Sequence, residues 1–323
     1  MTTIAILTSG GDAPGMNAAI RAAARSALAL GWNVFGVRNG YAGLLNDMME
    51  PLLPRDVGGI IQHGGTVLGS ARAPEFSQEA GRTRAIANMR ARGIEALVVI
   101  GGNGSQTGSW SLKKAGFPVV GVASTIDNDL VGTEITIGVD TAINITIEAI
   151  DRLRTTASSH RRAFLVETMG RNCGYIALMS GIAGGAEVIA LPEYEIEPRE
   201  VAERLSAAYQ RGKTHALLVV AEGAKHGAQE IMAYCSEHKL ETGFSLRVTT
   251  LGHVVRGGVP TAADRVLATR LGAGAVDQLA RGNHGVLMGM NRSEITAIPL
   301  EEIAGKTKGV DVGLVEMART LAL

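Results

Sequence analysis

Cysteine is nearly absent from this chain: Cys173 and Cys235 are the only two in 323 residues. Their separation suits no metal-ligand pattern, and a reduced compartment is the expectation. The seven histidines include no His-x-x-x-His pair, so the zinc helix that such a pair signals is excluded. Charge of one sign is missing too. Lysine plus arginine and aspartate plus glutamate stand at 31 each, so no global field favours nucleic acid or an anionic membrane, and any affinity for anions must be local. No apolar run is long enough to span a bilayer and no signal peptide is recognisable, so a cytoplasmic protein is expected, with neither nucleic acid nor membrane as partner. Repeats of solenoid length and low-complexity linkers are also lacking.

Apolar residues make up 46% and charged ones 19%, ordinary for a globular protein, and the length supports a large core in two lobes. Glycine is the excess. There are 42, and most follow apolar runs, where backbone must approach something closely.

The pattern centres on the hexapeptide STIDND, residues 124–129, which follows the apolar run of residues 117–122. That run reads as a buried parallel strand, and chemistry gathers at the carboxyl ends of such strands. Two carboxylates two residues apart, beside a hydroxyl and an amide, suit a general base, a metal-facing acid and their orienting donors. A plain polar turn is the competing reading, since Thr, Asp and Asn favour turns.

The same layout recurs along the chain. Residues 3–8 read as a strand, broken by Ser9-Gly10-Gly11-Asp12-Ala13-Pro14-Gly15 and followed by a helix over 17–30. Tandem glycines there let main-chain N–H groups reach a phosphate, although neither a Walker A ending nor Gly-x-Gly-x-x-Gly spacing is present. Residues 33–37 read as a second strand, and Gly64-Gly65-Thr66 and Gly69-Ser70-Ala71-Arg72 follow; residues 79–92 read as a solvated basic helix. The strand at 96–100 runs into Gly101-Gly102-Asn103-Gly104-Ser105 and another helix. These polar junctions at the ends of buried strands are expected to meet along one edge of a sheet. Further strands are expected at 163–168, 187–190, 216–221 and 286–290, and helices at 141–158, 173–183 and 262–280. The alternation predicts an α/β protein of two doubly wound, mainly parallel-sheet lobes.

Read together, the segments TSGGDAPGMNAAIR, GSAR, STIDND, AIDRLRTTASSHRR, ETMGR, IAGGAE and LGHVVRGG resemble the 6-phosphofructokinase family in its bacterial-type ATP-dependent branch, over nearly the whole chain. The resemblance implies a nucleotide-binding lobe from residues 1–138 plus 251–303, and a sugar-phosphate-binding lobe from 139–250 plus 304–323. It implies transfer of a phosphoryl group from MgATP to the 1-hydroxyl of fructose 6-phosphate, with Mg²⁺ as cofactor. By the same resemblance Asp127 is the base, Thr125 hydrogen-bonds the moving phosphoryl group and Arg171 offsets its charge. Gly11, Arg72, Ala73, Gly102, Asn103, Gly104 and Ser105 match nucleotide-contacting positions. Asp129, Arg162, Met169, Gly170, Glu222, Arg247, His253 and Arg256 match the sugar-phosphate side, with Arg162 and Arg247 reaching a neighbouring subunit in a homotetramer. Arg21, Arg25, Arg154, Gly185, Glu187, Arg211 and Lys213 match an effector site between subunits, for which ordinary interface salt bridges are the alternative.

Departures from the family pattern keep three readings open. Asn103 stands where an aspartate commonly serves Mg²⁺, leaving Asn103 and Asp129 as the metal-facing residues. Pro54 replaces an effector arginine, with Arg55 adjacent, and Gly58 replaces a serine. Gly104 and Ser124 stand where pyrophosphate-using relatives typically carry aspartate and lysine, which favours ATP. The alternatives are a pyrophosphate-dependent enzyme and a regulatory subunit that binds both ligands without turnover.

Overall fold

The computed structural model describes residues 2–160, 162–238 and 242–322, with backbone alone at 158–160. Arg161, within the AIDRLRTTASSHRR segment, lies outside the described residues. The chain forms two compact units: Met1–Thr141 with Arg256–Thr307, and Ala142–Val255 with Lys308–Leu323.

The first unit is built on a seven-stranded sheet. In chain order its strands are β1 (Thr3–Ser9), β2 (Asn33–Val37), β3 (Met49–Pro51), β4 (Ala96–Gly101), β5 (Val119–Ala123), β10 (Val286–Asn291) and β11 (Glu294–Pro299), arranged β11-β10-β5-β4-β1-β2-β3. Every residue of β1, β4 and β5 is buried. Strands covered on both faces must be apolar throughout, which is why these segments lack the alternation of a half-exposed strand. The five central strands run parallel, while β3 and β11 pair antiparallel at the two edges. Register is the consequence that matters for the site. Ser9 pairs with Gly101 and Gly101 with Ala123, so the glycine turn after β1, the glycine turn after β4 and STIDND leave the sheet in one row. The crossover helices are α1 (Met16–Ala29), α2 (Gly40–Leu45), α3 (Glu79–Ala91), α4 (Asn103–Lys114) and α5 (Val139–His160), whose first turn belongs to this unit.

The second unit has a wholly parallel sheet, ordered β7-β8-β6-β9, from β6 (Arg162–Thr168), β7 (Val188–Ala190), β8 (Ala216–Ala221) and β9 (Ser245–Thr250). Its helices are α6 (Tyr175–Ala183), α7 (Pro198–Gln210) and α8 (Ala228–Glu237). Successive residues of β8 point to opposite faces. Leu218 and Val220 pack with Val201, Leu205 and Ile231, whereas Leu217, Val219 and Ala221 pack with Ile150, Ala177 and Val315. Helices therefore cover both faces. The chain returns to the first unit for α9 (Ala262–Ala280) and α10 (Leu300–Ile303), and ends in the second with α11 (Val312–Leu321).

Three strands were not anticipated from sequence: β3, β9 and β11. The β10–β11 hairpin turns through Arg292 and Ser293, both left-handed at φ 49° and 64°, without the Asn-Gly or Gly pair that marks such turns.

Candidate active site

STIDND is not a loose turn. Ser124 bridges Ile137, and the Thr125 amide donates to the Ile137 carbonyl at 3.1 Å. The Thr136 hydroxyl donates to the Thr125 carbonyl at 2.6 Å and reaches Asn128 Oδ1 at 3.3 Å. Asn128 sits at φ 52°, a conformation its short polar side chain tolerates, and its Nδ2 donates to the Glu134 carbonyl. Residues 134–137 thus clamp the hexapeptide from one side. The Asp127 amide donates to Thr125 Oγ1 at 3.2 Å, which leaves the hydroxyl proton of Thr125 to point elsewhere. Asp127 is buried and Asp129 half-buried.

Beside this turn, α4 begins at Asn103, with Gly102 as its N-cap, no side-chain cap and no acid in its first turn. Its first amides are those of Asn103, Gly104 and Ser105, at an end of the helix that carries partial positive charge. A Cβ on Gly102 would come within 3.2 Å of Thr125 Cβ, whereas one on Gly104 would meet nothing within 4 Å. Gly102 therefore lets the turn after β4 lie against STIDND, and Gly104 faces open space. Asn103 Nδ2 donates to the Asp129 carbonyl at 3.2 Å, leaving its amide oxygen as the group available to a cation.

The Gly10–Gly11 turn completes the row. Ser70 Oγ donates to the Gly10 carbonyl at 2.7 Å, which ties the GSAR segment to it, while Arg72 is exposed and Ala73 half-buried. Arg256 lies buried over Gly11, where a Cβ would fall 1.8 Å from Nη1, and Nη1 donates to the Asp12 carbonyl at 3.2 Å. A side chain at Gly11 would therefore displace the guanidinium from its present place.

In the second unit, the ETMGR segment ends β6. Gly170 has φ 145° and Arg171 φ 50°, and the Glu222 carboxylate accepts both amides, at 3.2 and 2.8 Å. Met169 is buried, while Arg171, Glu222 and His253 are exposed. Arg162 and Arg247 share one sheet face at the β9 edge, since Arg247 pairs with Phe164, two residues along from Arg162. Among the effector candidates, Lys213 pairs with Glu187 at 3.0 Å, and Glu187 also accepts the Leu217 amide at 2.6 Å. Arg154 donates to the Gly184 carbonyl and lies 3.5 Å from where a Cβ on Gly185 would stand; Arg211 caps α7. Arg21 and Arg25 belong to α1 of the first unit, half-buried and exposed respectively.

Sequence reasoning passed over several supporting side chains. Gln106 donates to carbonyls of Val99, Gly101 and Val122, joining the ends of β4 and β5. Tyr41 is buried, donates to the Ser105 carbonyl at 2.6 Å, and has its phenol pushed well above the ordinary value by burial. Asp264 is 1% exposed and accepts hydrogen bonds from Gly138 N, Thr141 N and Thr141 Oγ1. Its one sequence signal is the capping pattern Thr261-Ala-Ala-Asp264.

The chain is similar to known proteins in both sequence and fold. A family model described as Phosphofructokinase matches residues 3–279. A protein of Thermus thermophilus named ATP-dependent 6-phosphofructokinase 1 is 53% identical over the full length of both chains. One of Bacillus subtilis, named ATP-dependent 6-phosphofructokinase, is 46% identical, again over the full length of both. Among solved structures, Pichia pastoris phosphofructokinase superposes with a TM-score of 0.89 at 38% identity, covering 94% of this chain and 35% of that longer one. A pyrophosphate-dependent phosphofructokinase of Marinobacter aquaeolei shares the fold, with a TM-score of 0.85 at 23% identity over 97% of this chain and 86% of that one.

Proposed function

The chain belongs to the phosphofructokinase family, and from that premise we propose that it transfers the γ-phosphoryl group of MgATP to the 1-hydroxyl of fructose 6-phosphate, giving fructose 1,6-bisphosphate and ADP. The observation that carries the reading is the single row of junctions along the edge of the first sheet: an uncapped helix N-terminus beside a clamped turn bearing Thr125 and Asp127.

Each residue has a task that its surroundings support. Asp127 takes the proton of the 1-hydroxyl as that oxygen attacks phosphorus. Thr125 donates its hydroxyl proton to the moving phosphoryl group, its lone pair already engaged by the Asp127 amide. The first amides of α4, with Gly11 and Arg72, cradle the donor phosphates. Arg171 supplies positive charge where the moving phosphoryl oxygens gain negative charge, and Arg256 serves the sugar-phosphate side. Met169, Gly170, Glu222 and His253 belong to the sugar-phosphate side, and Arg162 and Arg247 to the sugar phosphate of a neighbouring subunit in a homotetramer. Among the described residues no three of His, Cys, Asp and Glu gather to hold a metal. Mg²⁺ characteristically rides on substrate phosphates with one or two protein oxygens, so the Asp129 carboxylate and the Asn103 amide oxygen fit that role. When bound, the ion supplies charge neutralisation at the phosphates. ATP is favoured over pyrophosphate by the full-length relatives named for it and by the open space at Gly104. We infer further that Arg21, Arg25, Arg154, Gly185, Glu187, Arg211 and Lys213 serve a regulatory anion between subunits.

The test is fructose 1,6-bisphosphate formation with MgATP and with magnesium pyrophosphate in parallel, repeated with ADP and phosphoenolpyruvate added. Turnover with MgATP alone is expected, lowered about 10²-fold or more in Asp127→Ser. Turnover with pyrophosphate would overturn the donor assignment. Silence with both donors, in protein that still binds them, would make the chain a binding subunit. A saturation curve indifferent to both effectors would remove the regulatory site.

A further inference from the structure

We propose that Asp264 is the positioning residue of the catalytic turn, anchoring the segment that holds Thr125 and Asp127. This rests on the reading of Asp127 as base. The carboxylate is 1% exposed and lies where α9 begins, under the start of α5. It accepts Gly138 N at 2.7 Å, Thr141 N at 2.8 Å and Thr141 Oγ1 at 2.6 Å. Three donors converge on it, so a group that only accepts is required; an amide in its place would set an N–H₂ against an N–H. The N-terminus of α5 favours the negative charge, while burial opposes it.

From Gly138 the hold passes directly to the chemistry. Ile137 accepts the Thr125 amide and donates to the Ala123 carbonyl, while Thr136 holds the Thr125 carbonyl and Asn128. Close packing then ties in the nucleotide side. A Cβ on Gly138 would stand 2.7 Å from Ala13 Cβ and 3.2 Å from Ile126 Cγ2, and one on Gly15 would stand 2.7 Å from Ile137 Cγ2 and 3.4 Å from the Asp264 carbonyl. The turn after β1, the catalytic turn and residues 134–138 therefore share one anchor. That anchor is itself fixed: Thr261 N donates to Thr141 Oγ1 at 3.0 Å, Asp264 N donates to Thr261 Oγ1 at 3.3 Å, and Thr261 Oγ1 donates to Asp140 at 2.5 Å. Displacement of a reacting group by about 1 Å costs on the order of 10²-fold in rate, so slack here is read in turnover.

The experiment uses the full chain carrying Asp264→Asn, with kcat and both KM values measured beside hydrogen–deuterium exchange over residues 134–141. The expected result is faster exchange at Gly138 and Thr141, kcat lower by about tenfold or more, and both KM values within about threefold of the parent. Thr141→Val is expected to show the same split more weakly, and Thr141→Ser, which keeps the hydroxyl, to restore it. A purely structural role would leave kcat per folded molecule within about twofold of the parent while exchange rises, and that outcome overturns the proposal; so does unchanged exchange. If Asp264→Asn does not fold, Thr141→Val decides by the same criteria. An active Asp127→Ser would sink the parent reading, whereas an inert Asp127→Ser beside a fully active Asp264→Asn would sink this inference alone.

Discussion

Glu222 shows how a residue's task is decided by what its atoms touch. The resemblance places it against the sugar phosphate, yet its Oε1 accepts the amides of Gly170 and Arg171. Arg171 is held at φ 50°, a region costly for a side chain of that size, and two hydrogen bonds to a carboxylate offset that cost. In an exposed position such bonds are worth about 1 kcal/mol each, so roughly 30-fold in rate if both serve to aim Arg171. Glu222→Ala, which removes the accepting oxygen, is therefore expected to lower kcat by about tenfold or more, whereas Glu222→Gln, which keeps that oxygen, should cost much less. In an Arg171→Ala background Glu222→Ala should cost little more, because the two act as one unit. A full, additive loss in the double variant would return Glu222 to a role independent of Arg171.

Helix packing offers a case in which two element-level effects oppose each other. Gly272 lies in the interior of α9, where alanine ordinarily gains about 1 kcal/mol through helix propensity. A Cβ there, however, would stand 2.5 Å from the Ala19 carbonyl oxygen of α1, a backbone atom that cannot swing aside. Buried alanines dominate α1, and at Ala19 its backbone comes directly against Gly272, so the two helices approach closely there and depend on small residues. Overpacking of this kind costs about 1–3 kcal/mol, which exceeds the propensity gain. Gly272→Ala is accordingly expected to lower the denaturation midpoint, and a rise in it would refute the close crossing. The same scale explains the strands unread in sequence. β9 reads Ser-Leu-Arg-Val-Thr-Thr and β3 has three residues, too polar or too short to stand out; both are edge strands, where partial exposure permits such composition.

Across the whole molecule the formal charge sums to zero at neutral pH, so pH dependence must come from particular groups and not from net repulsion. His226 is the best placed. Its Nδ1 lies 2.7 Å from Glu230 and its Nε2 3.2 Å from Glu197, while Lys225 pairs with Glu195 and Glu197. The hydrogen bond to Glu230 above all raises the imidazole above its ordinary value; burial, next in size, opposes it, and the hydrogen bond to Glu197 adds to the rise. A cation stabilised in the folded state contributes fully below the unfolded value of about 6.5, and the contribution is lost as pH rises through the folded value. Thermal stability should therefore decline slightly from about pH 6 to pH 8, and His226→Gln should flatten that slope. A slope unchanged in the variant would assign the dependence to other groups. Asp264 acts with the same sign: burial raises its carboxyl, so ionisation across and above the ordinary carboxylate range costs stability.

The α/β class, the buried parallel strands and the polar junctions that follow them can be read from the order of residues. Those features are local: an apolar run with glycine after it states its burial and its turn without reference to the rest of the chain, as β1, β4 and β5 show. The residue types proposed for phosphoryl transfer were legible in the same way, through STIDND and the glycine turn that opens α4. Tertiary structure alone decided which junctions are neighbours, because strand order β5-β4-β1 is a matter of pairing and not of sequence order. It also decided the supporting shell. Asp264 is 126 residues from the Gly138 amide it holds, and Arg256 is 244 from the Asp12 carbonyl. Nothing in the neighbourhood of either residue announces so distant a partner, since a buried polar group is defined by the chain that folds over it.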